Sequence, residues 1–213
     1  MGCSIHSFDS FYKLGTDFLA LSAQWRYFIP GARFQNGRFP AETGGAMKRI
    51  LVVGCCGAGK SVLSRELGEK LGLPVVHLDR LFWLPGWVER SREAFDALLE
   101  EELRRDRWVM DGNFSRTFAR RLESADAVIF LRYSRFCCLS GVFRRWIRYF
   151  GRSRPDLGEG CPEKIDLRFL RFVWNYNRVT LPKMEAQLAG RPGSCRLIEL
   201  RSRREARQFL EKL

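Results

Sequence analysis

The stretch that most constrains the fold of this chain runs from residue 50 to residue 61 and reads ILVVGCCGAGKS. It begins with four apolar residues, which is typical of a short strand buried in a parallel sheet. It continues as G-x-x-x-x-G-K-S and then as a helix-like segment, which is the setting that a phosphate-binding loop requires. A glycine turn that only joins a strand to a helix is the alternative interpretation. The pattern predicts that the chain binds a nucleoside triphosphate.

The residues of this loop have separate predicted roles. Its glycines allow backbone N–H groups to turn inward around an anion, and the following helix adds the positive end of its dipole. Lys60 is predicted to reach the β- and γ-phosphates, and the Ser61 hydroxyl to ligate Mg²⁺. The predicted binding set for ATP consists of Gly54, Gly57, Ala58, Gly59, Lys60, Ser61 and Val62.

Two aspartates follow predicted strands further along the chain. Ligands of open α/β sheets gather at the carboxyl ends of the strands, where Asp79 and Asp111 are expected to lie. Asp111 is predicted to hold Mg²⁺, and Asp79 to accept a proton from an acceptor hydroxyl or to help hold the metal. A helix N-cap or turn aspartate is an equal alternative for Asp79. His77, inside the predicted strand, is expected to be a hydrogen-bonded core histidine rather than a catalytic one.

A segment rich in glycine, proline and charge, residues 151–166, lies where a P-loop kinase carries its lid. Arg152 and Arg154 are predicted to come onto the phosphates when the lid closes, where they would exclude water and neutralise developing charge. Three earlier arginines are predicted either to bind an acceptor anion or to be ordinary surface residues. They are Arg116, Arg120 and Arg121.

Strands and helices alternate throughout residues 47–213, which predicts an α/β fold. We expect a P-loop NTPase with a five-stranded parallel sheet, helices on both faces and a small lid. In the helix before the lid, apolar residues at helical spacing are predicted to line one face: Leu139, Val142, Phe143, Trp146, Ile147 and Phe150. The aromatic stretch 81–87 is predicted to form either an exposed loop that stacks on a ring or a buried hinge.

Residues 1–46 differ from the rest, because they show no clear period and end in a glycine-rich run before Met47. They are predicted to be an extension that is poorly ordered or that stems from a misassigned start. The domain is then expected to span residues 47–213, with the lid at about 151–166.

The composition limits the function classes. Thirty-seven lysines and arginines against 24 acidic residues give a net charge of +13, which favours an anionic substrate or a polyanionic partner. No apolar run is long enough to cross a bilayer, so no membrane attachment is expected. Seven cysteines without a C-x-x-C motif favour reduced thiols in a cytoplasm over a zinc site. Cys55 and Cys56 lie beside a helix start and Lys60; they are predicted to ionise easily, and their oxidation to block nucleotide binding.

Residues 47–213 resemble the bacterial family of DNA topology modulation proteins, which are relatives of the adenylate kinases. The matching pieces are the loop, HLDRLFWLPGW, WVMDGNF and RPDLGEGCPEKID. The resemblance implies an adenylate-kinase-like fold with a small lid. Asp111-Gly112 is similar to the Asp-Gly of the adenylate kinase motif, but the residues that follow differ, which weakens the case for AMP as the acceptor.

The sequence therefore favours an ATP- and Mg²⁺-dependent phosphotransferase with a small, anionic or nucleotide-like acceptor. The competing hypothesis is a nucleic-acid-binding protein that uses ATP as a switch, based on the net charge and on the arginine-dense segment 144–154. A nucleotide-binding protein without turnover is a third hypothesis. The oligomeric state is not predicted.

Overall fold

The computed structural model describes residues 47–213. The predictions about residues 1–46 fall outside the described residues. Within residues 47–213, no helix combines the length and the apolar character needed to span a membrane.

Within residues 47–213, seven strands form two separate sheets. The central sheet has five parallel strands in the order β2-β5-β1-β6-β7. A short antiparallel hairpin is made by β3 and β4. The strands are β1 (Arg49–Gly54), β2 (Val75–His77), β3 (Trp83–Leu84), β4 (Val88–Glu89), β5 (Trp108–Asp111), β6 (Ala127–Leu131) and β7 (Arg196–Leu200). The predicted five-stranded parallel sheet is confirmed.

Seven helices in the described part of the chain connect and follow these strands. They are α1 (Lys60–Leu71), α2 (Leu78–Phe82), α3 (Arg92–Leu103), α4 (Ser115–Ser124), α5 (Arg135–Tyr149), α6 (Leu167–Ala189) and α7 (Arg203–Glu211). The chain leaves β1 in one direction along the sheet, towards β2, and later returns in the other, towards β6 and β7. Because crossovers between parallel strands are right-handed, this reversal puts helices on both faces. The contacts agree, since α1 packs against α7 and α4 against α6.

The core lies around the three middle strands of the sheet. Ile50, Leu51, Val52 and Val53 are completely buried, as are most residues of β5 and β6. A strand covered on both faces has no polar side to present, which explains the continuous apolar runs. The strand order therefore brings the carboxyl ends of β1, β2 and β5 together at one edge.

Two local features refine the predictions. The helix α5 buries Cys138 and Val142, whereas Phe143, Ile147 and Phe150 are 44%, 72% and 67% exposed. The apolar face predicted for this helix is therefore buried only in its first half. Strand β2 ends at His77, and Asp79 lies two residues later, in the first turn of α2.

The aromatic stretch 81–87 forms the end of α2, strand β3 and the turn before β4. Trp83 is buried, and the rings of Phe82 and Trp87 lie 4.9 Å and 5.3 Å from its ring. The buried alternative therefore describes most of this stretch better than an exposed loop does.

Candidate active site

The glycine-rich loop between β1 and α1 wraps around the amino end of α1. Gly59 has φ of 96° and forms the N-cap of α1, and Gly57 has φ of 78°, values that side-chain-bearing residues rarely adopt. Lys60 Nζ donates to the carbonyl oxygens of Gly54 at 3.0 Å and of Cys55 at 3.3 Å. The lysine ammonium therefore lies over the same concave face that the helix dipole makes electropositive.

The loop is pressed against helix α5. A Cβ atom added to Gly57 would lie 2.1 Å from the Cys138 carbonyl oxygen, and one added to Gly141 would lie 2.0 Å from the Gly57 carbonyl oxygen. Both positions need glycine because two backbones meet there. Of the remaining predicted loop residues, Ala58 is buried and Val62 is half exposed.

The segment after β5 supports the loop from the other side. Asn113 accepts from the Gly54 N–H at 3.1 Å and donates to the Gly54 carbonyl oxygen at 2.9 Å. Arg121 is completely buried, and its guanidinium donates to the carbonyl oxygens of Gly112, Asn113 and Phe114. The bonds of Asn113 to Gly54, together with the support that Arg121 gives to the segment, fix the position of the glycine-rich loop relative to β5.

The other two arginines of α4 also have partners in the protein. Arg116 forms an ion pair with Asp96, and Arg120 with Glu100. The prediction that these arginines bind an acceptor anion therefore has no support from their positions, since all three are used in intramolecular contacts.

Asp111 and His77 meet at the carboxyl ends of neighbouring strands. They are register partners in β5 and β2, and His77 Nδ1 lies 2.8 Å from Asp111 Oδ1. Burial opposes protonation of His77, but the hydrogen bond and charge of Asp111 outweigh it, and the pKa of His77 is raised. The prediction of a hydrogen-bonded histidine agrees with this contact. Asp111 is 4% exposed, and its Oδ2 atom has no hydrogen-bond partner in residues 47–213.

Asp79 faces the same group of charges. Desolvation raises its pKa, the charges of Arg154 and Lys60 lower it in part, and Asp111 raises it further. The structure thus brings Asp79, Asp111, Lys60 and Arg154 into one electrostatic neighbourhood. The catalytic roles of these residues stay predictions.

Residues 151–166 are anchored by a chain of buried ion pairs. Arg145 Nε lies 2.8 Å from Glu163 Oε1, Arg154 Nε lies 2.7 Å from Glu163 Oε2, and Arg154 Nη1 lies 2.9 Å from Asp156 Oδ2. The side chains of Arg154, Asp156 and Glu163 are at most 9% exposed. Arg154 is therefore held by carboxylates, whereas the Arg152 side chain is exposed.

The same segment docks on the β3–β4 hairpin. The Gly86 N–H donates to the Gly160 carbonyl oxygen at 2.8 Å, and Trp87 Nε1 donates to the Pro162 carbonyl oxygen at 3.1 Å. Cys161 packs with Trp83 and Leu157 in a small second core. The lid segment and the hairpin therefore form one packed unit.

Asp156 adds negative charge to this neighbourhood, because its charge raises the pKa of both His77 and Asp79. Burial opposes ionisation of Asp156, but the charge of Arg154 helps to outweigh it, and the pKa of Asp156 is lowered.

The prediction that Cys55 ionises easily is wrong. Cys55 is buried, and a hydrogen bond with the Cys138 thiol, together with burial, raises the pKa of Cys55 despite the charge of Lys60. The sequence shows the neighbouring lysine, whereas the partner thiol comes from α5, more than 80 residues away.

The donor set at this site suits Mg²⁺. Magnesium prefers oxygen ligands and is held by one or two carboxylates together with nucleotide phosphates. Ser61 supplies a hydroxyl, and the unpartnered Asp111 Oδ2 is a buried oxygen whose negative charge a cation would compensate. In residues 47–213, no three His, Cys, Asp or Glu side chains form a ready-made metal centre. The site thus fits a metal that arrives with phosphates better than one held by the protein alone.

Two residues of this site, Asn113 and Asp156, were not predicted from the sequence, and a third, Arg121, was predicted with a different role. Asn113 follows the predicted metal aspartate by two residues, which is the only local signal for it. Arg121 looked like one of several arginines on a helix, and its burial depends on tertiary packing. Asp156 was visible only as part of a charged segment.

No protein-family model matches this chain, and no curated protein matches it. Among solved structures, it is similar to shikimate kinase from Acinetobacter baumannii in complex with shikimate (18% identity, 78% of this chain and 90% of the other, TM-score 0.48). It is also similar to deoxyadenosine kinase from M. mycoides with bound dATP (15%, 78% and 98%, TM-score 0.45). A third is a gluconokinase from Sinorhizobium meliloti 1021 (19%, 78% and 92%, TM-score 0.42). At these identities and scores, the similarity does not indicate what this chain binds or modifies.

Proposed function

We propose that this protein is an ATP- and Mg²⁺-dependent phosphotransferase that moves the γ-phosphate to a small, anionic or nucleotide-like acceptor. The observation that carries the proposal is the loop between β1 and α1, with Lys60 Nζ over its concave face. The carboxylates at the adjoining strand ends supply the other groups that phosphoryl transfer needs.

The loop binds and orients the triphosphate. Its backbone N–H groups and the amino end of α1 face the phosphates, and Lys60 moves from the carbonyl oxygens of Gly54 and Cys55 to the β- and γ-phosphates. Little covalent chemistry is required of the protein in this reaction, so this positioning and charge supply most of the rate.

Ser61 and Asp111 hold the metal in this proposal. Mg²⁺, when bound, neutralises charge that develops on the phosphates. His77 keeps the Asp111 carboxylate oriented through its bond to Oδ1, which leaves Oδ2 for the metal.

Asp79 acts on the acceptor. Because burial raises its pKa, its carboxylate is a stronger base than an ordinary aspartate, which suits removal of a proton from an acceptor hydroxyl. Arg152 closes over the transferred group from the exposed part of the lid, while Arg154 acts from its buried position on the charge of Asp79.

The test is ADP release from Mg·ATP across nucleoside monophosphates, nucleosides and small hydroxylated acids. We expect turnover that depends on one acceptor class and that falls by about 10²–10³ in Lys60→Ala, because one preorganised charge on the transferred group is lost. Lys183→Ala, an exposed lysine on α6, is the matched control and should retain full turnover. Normal turnover in Lys60→Ala would refute the proposal.

A second candidate function is nucleic acid binding, favoured by the exposed face of α5 and α6. Phe136 and Trp174 touch there with ring centroids 5.7 Å apart, and the guanidinium of Arg135 lies 4.8 Å above the Trp174 ring. Aromatic rings beside arginines are suited to stacking on bases near phosphates. Binding to plasmid DNA whose affinity falls steeply with salt would support this candidate, and no binding near physiological salt would remove it.

A further inference from the structure

Exposed apolar side chains are concentrated on helices α5 and α6. Of the ten large apolar residues that are exposed in residues 47–213, seven lie on these two helices or directly after α5. A concentration of this kind marks a surface that interacts with another molecule or with a membrane. Six of the seven form what we call the α5–α6 face: Phe136, Phe143, Ile147, Phe150, Leu167 and Trp174.

The part of this face that α5 contributes is a single row. The row consists of Phe136, Phe143, Ile147 and Phe150. Their separations of seven, four and three residues return to the same side of a helix. Cys138 and Val142, which α5 buries, lie on the opposite side. One apolar side of α5 therefore belongs to the core, and the other is exposed to solvent.

Helix α6 extends the row into a broader surface. The rings of Phe136 and Trp174 meet edge to face with their centroids 5.7 Å apart, and α5 packs against α6. Leu167 is 84% exposed and lies seven residues before Trp174, on the same side of α6. The exposed apolar surface therefore spans both helices.

The stretches of chain that carry this face are strongly basic. Residues 127–155 and 167–184, which contain α5 and most of α6, include no aspartate or glutamate. The acidic residues between the two stretches that lie closest to α6 have partners, since Glu163 pairs with Arg145 and Arg154, and Asp166 caps α6. The exposed arginines of the two helices include Arg144, Arg148, Arg171 and Arg178.

This charge favours a negatively charged partner. A second copy of the chain, docked through the same face, would bring two basic surfaces together, and repulsion between like charges opposes that contact. A polyanion or an anionic surface would instead be attracted to the arginines.

Among negatively charged partners, an anionic bilayer matches the apolar residues best. Ile147 and Leu167 are aliphatic, whereas stacking on nucleic acid bases requires planar side chains. Side chains that protrude as these do form a ridge, whereas a partner helix is received by a groove. Acyl chains adapt to apolar side chains of any shape, aromatic rings lie at the level of the headgroups, and arginines reach the lipid phosphates.

We propose that the α5–α6 face binds the surface of a bilayer that contains anionic lipids. The row of α5 and the two apolar residues of α6 enter the boundary between headgroups and acyl chains, and the arginines contact the phosphates. The two helices lie on the bilayer and do not cross it, so this binding requires no long apolar run. It is independent of the proposed phosphotransferase activity.

The test is flotation of the full chain with vesicles of phosphatidylcholine alone and of phosphatidylcholine with about one third phosphatidylglycerol. The bound fraction is measured across a lipid titration. We expect binding to the mixed vesicles that weakens as the salt concentration rises, and much weaker binding to the neutral vesicles.

Two variants separate the apolar contribution from the charge. Ile147→Ser should weaken binding to the mixed vesicles by about tenfold, because one apolar side chain no longer enters the bilayer. Arg144→Gln should weaken it by about fivefold, because one cation near an anionic surface is lost. Both residues are exposed, so neither change should disturb the fold, and urea denaturation checks this.

The matched controls lie on other elements. Val88→Ser removes an exposed apolar side chain from β4, and Arg207→Gln removes an exposed arginine from α7. Each should retain the wild-type affinity for the mixed vesicles within about twofold, since a charge more than a Debye length from the bilayer is screened.

Four results would overturn the proposal. Absence of binding to the mixed vesicles near physiological salt would show that the face does not bind lipid. Equal losses in Ile147→Ser and Val88→Ser would place the vesicle contact elsewhere on the protein. Binding of a single-stranded oligonucleotide without binding of vesicles would assign the face to nucleic acid. A dimer in sedimentation that Ile147→Ser dissociates, again without vesicle binding, would assign it to a second copy. These readouts involve no nucleotide turnover, which separates them from the test of the proposed function.

Discussion

The guanidinium of Arg121 lies in the interior of the molecule, below the segment that follows β5. It donates to three successive carbonyl oxygens, those of residues 112–114, and its pKa is lowered to about 9 by burial. The carbonyl oxygens of Gly112 and Asn113 lie outside the helices and strands, where buried carbonyls need other donors. The carbonyl oxygen of Phe114 also accepts from the Thr117 N–H at the start of α4. Phe114, at the end of this segment, has φ of 28°, so the arginine supports a backbone shape that would otherwise be unfavourable.

Arg121→Met should therefore destabilise the fold strongly. The change retains apolar bulk but removes the charged donor of three carbonyl oxygens, of which that of Gly112 is buried, and we expect a loss of about 3 kcal/mol in the free energy of unfolding. Urea denaturation of both proteins measures it.

The neighbouring arginine gives the control for this experiment. Arg120 is exposed and pairs with Glu100 on the surface, so Arg120→Ala should cost less than about 1 kcal/mol. Equal losses in the two variants would contradict the structural role assigned to Arg121.

At the scale of elements, the lid segment and the β3–β4 hairpin share contacts of three kinds. One backbone hydrogen bond joins Gly86 to Gly160, a side-chain bond joins Trp87 to Pro162, and Cys161 lies in the small core with Trp83. We expect the lid segment and the hairpin to move as one unit, because separating them would break the backbone bond, the side-chain bond and the packing of the small core at once. Residues 151–166 are therefore not an independent flap.

The central charge in this unit is Glu163, which lies between two arginines. Glu163→Gln should leave Arg145 and Arg154 without their shared carboxylate, and breaking a buried pair of this kind costs about 3–5 kcal/mol. Hydrogen exchange should increase in residues 151–166 and in residues 83–89 together. Faster exchange in the lid with an unchanged hairpin would show that the two segments open separately.

At the scale of the whole molecule, the strand order decides which residues meet. The strand β1 lies in the middle of the sheet. Asp126, directly before β6, joins the beginnings of the two strands, since it accepts from the backbone N–H groups of Lys48 and Arg49 and from the Arg49 side chain. Partial burial raises the pKa of Asp126, but these bonds outweigh it, and the pKa is lowered.

The hydrogen bonds accepted by Asp126 should make the free energy of unfolding depend on pH. A carboxyl group whose pKa is lower in the folded state stabilises the fold above its unfolded pKa of about 3.9, and this contribution is lost as the pH falls through the folded value. Asp126→Asn should therefore lower the free energy of unfolding at pH 7 by about 1 kcal/mol, allowing for the partial exposure of the group. The difference between the two proteins should shrink towards pH 3. A constant difference from pH 7 to pH 3 would contradict this assignment.

Much of this arrangement could be predicted from short stretches of sequence. The loop of residues 54–61 and the apolar runs of β1, β5 and β6 are local patterns, and their physical causes are local as well: glycine tolerates positive φ, and a strand buried on both faces has no polar side. The five-stranded parallel sheet follows from their alternation with helices.

The tertiary structure alone decided the surroundings of each charge. Arg121, Arg120 and Arg116 are alike in sequence, yet one is buried and two are on the surface, because only one of them points beneath the segment after β5. The surroundings of Arg154 could not be predicted either. This arginine was expected at the phosphates, but in the structure it forms ion pairs with Asp156 and Glu163. Burial and pairing depend on residues that are distant in sequence, and their energies are set by distances of a few ångströms that only the packed fold determines.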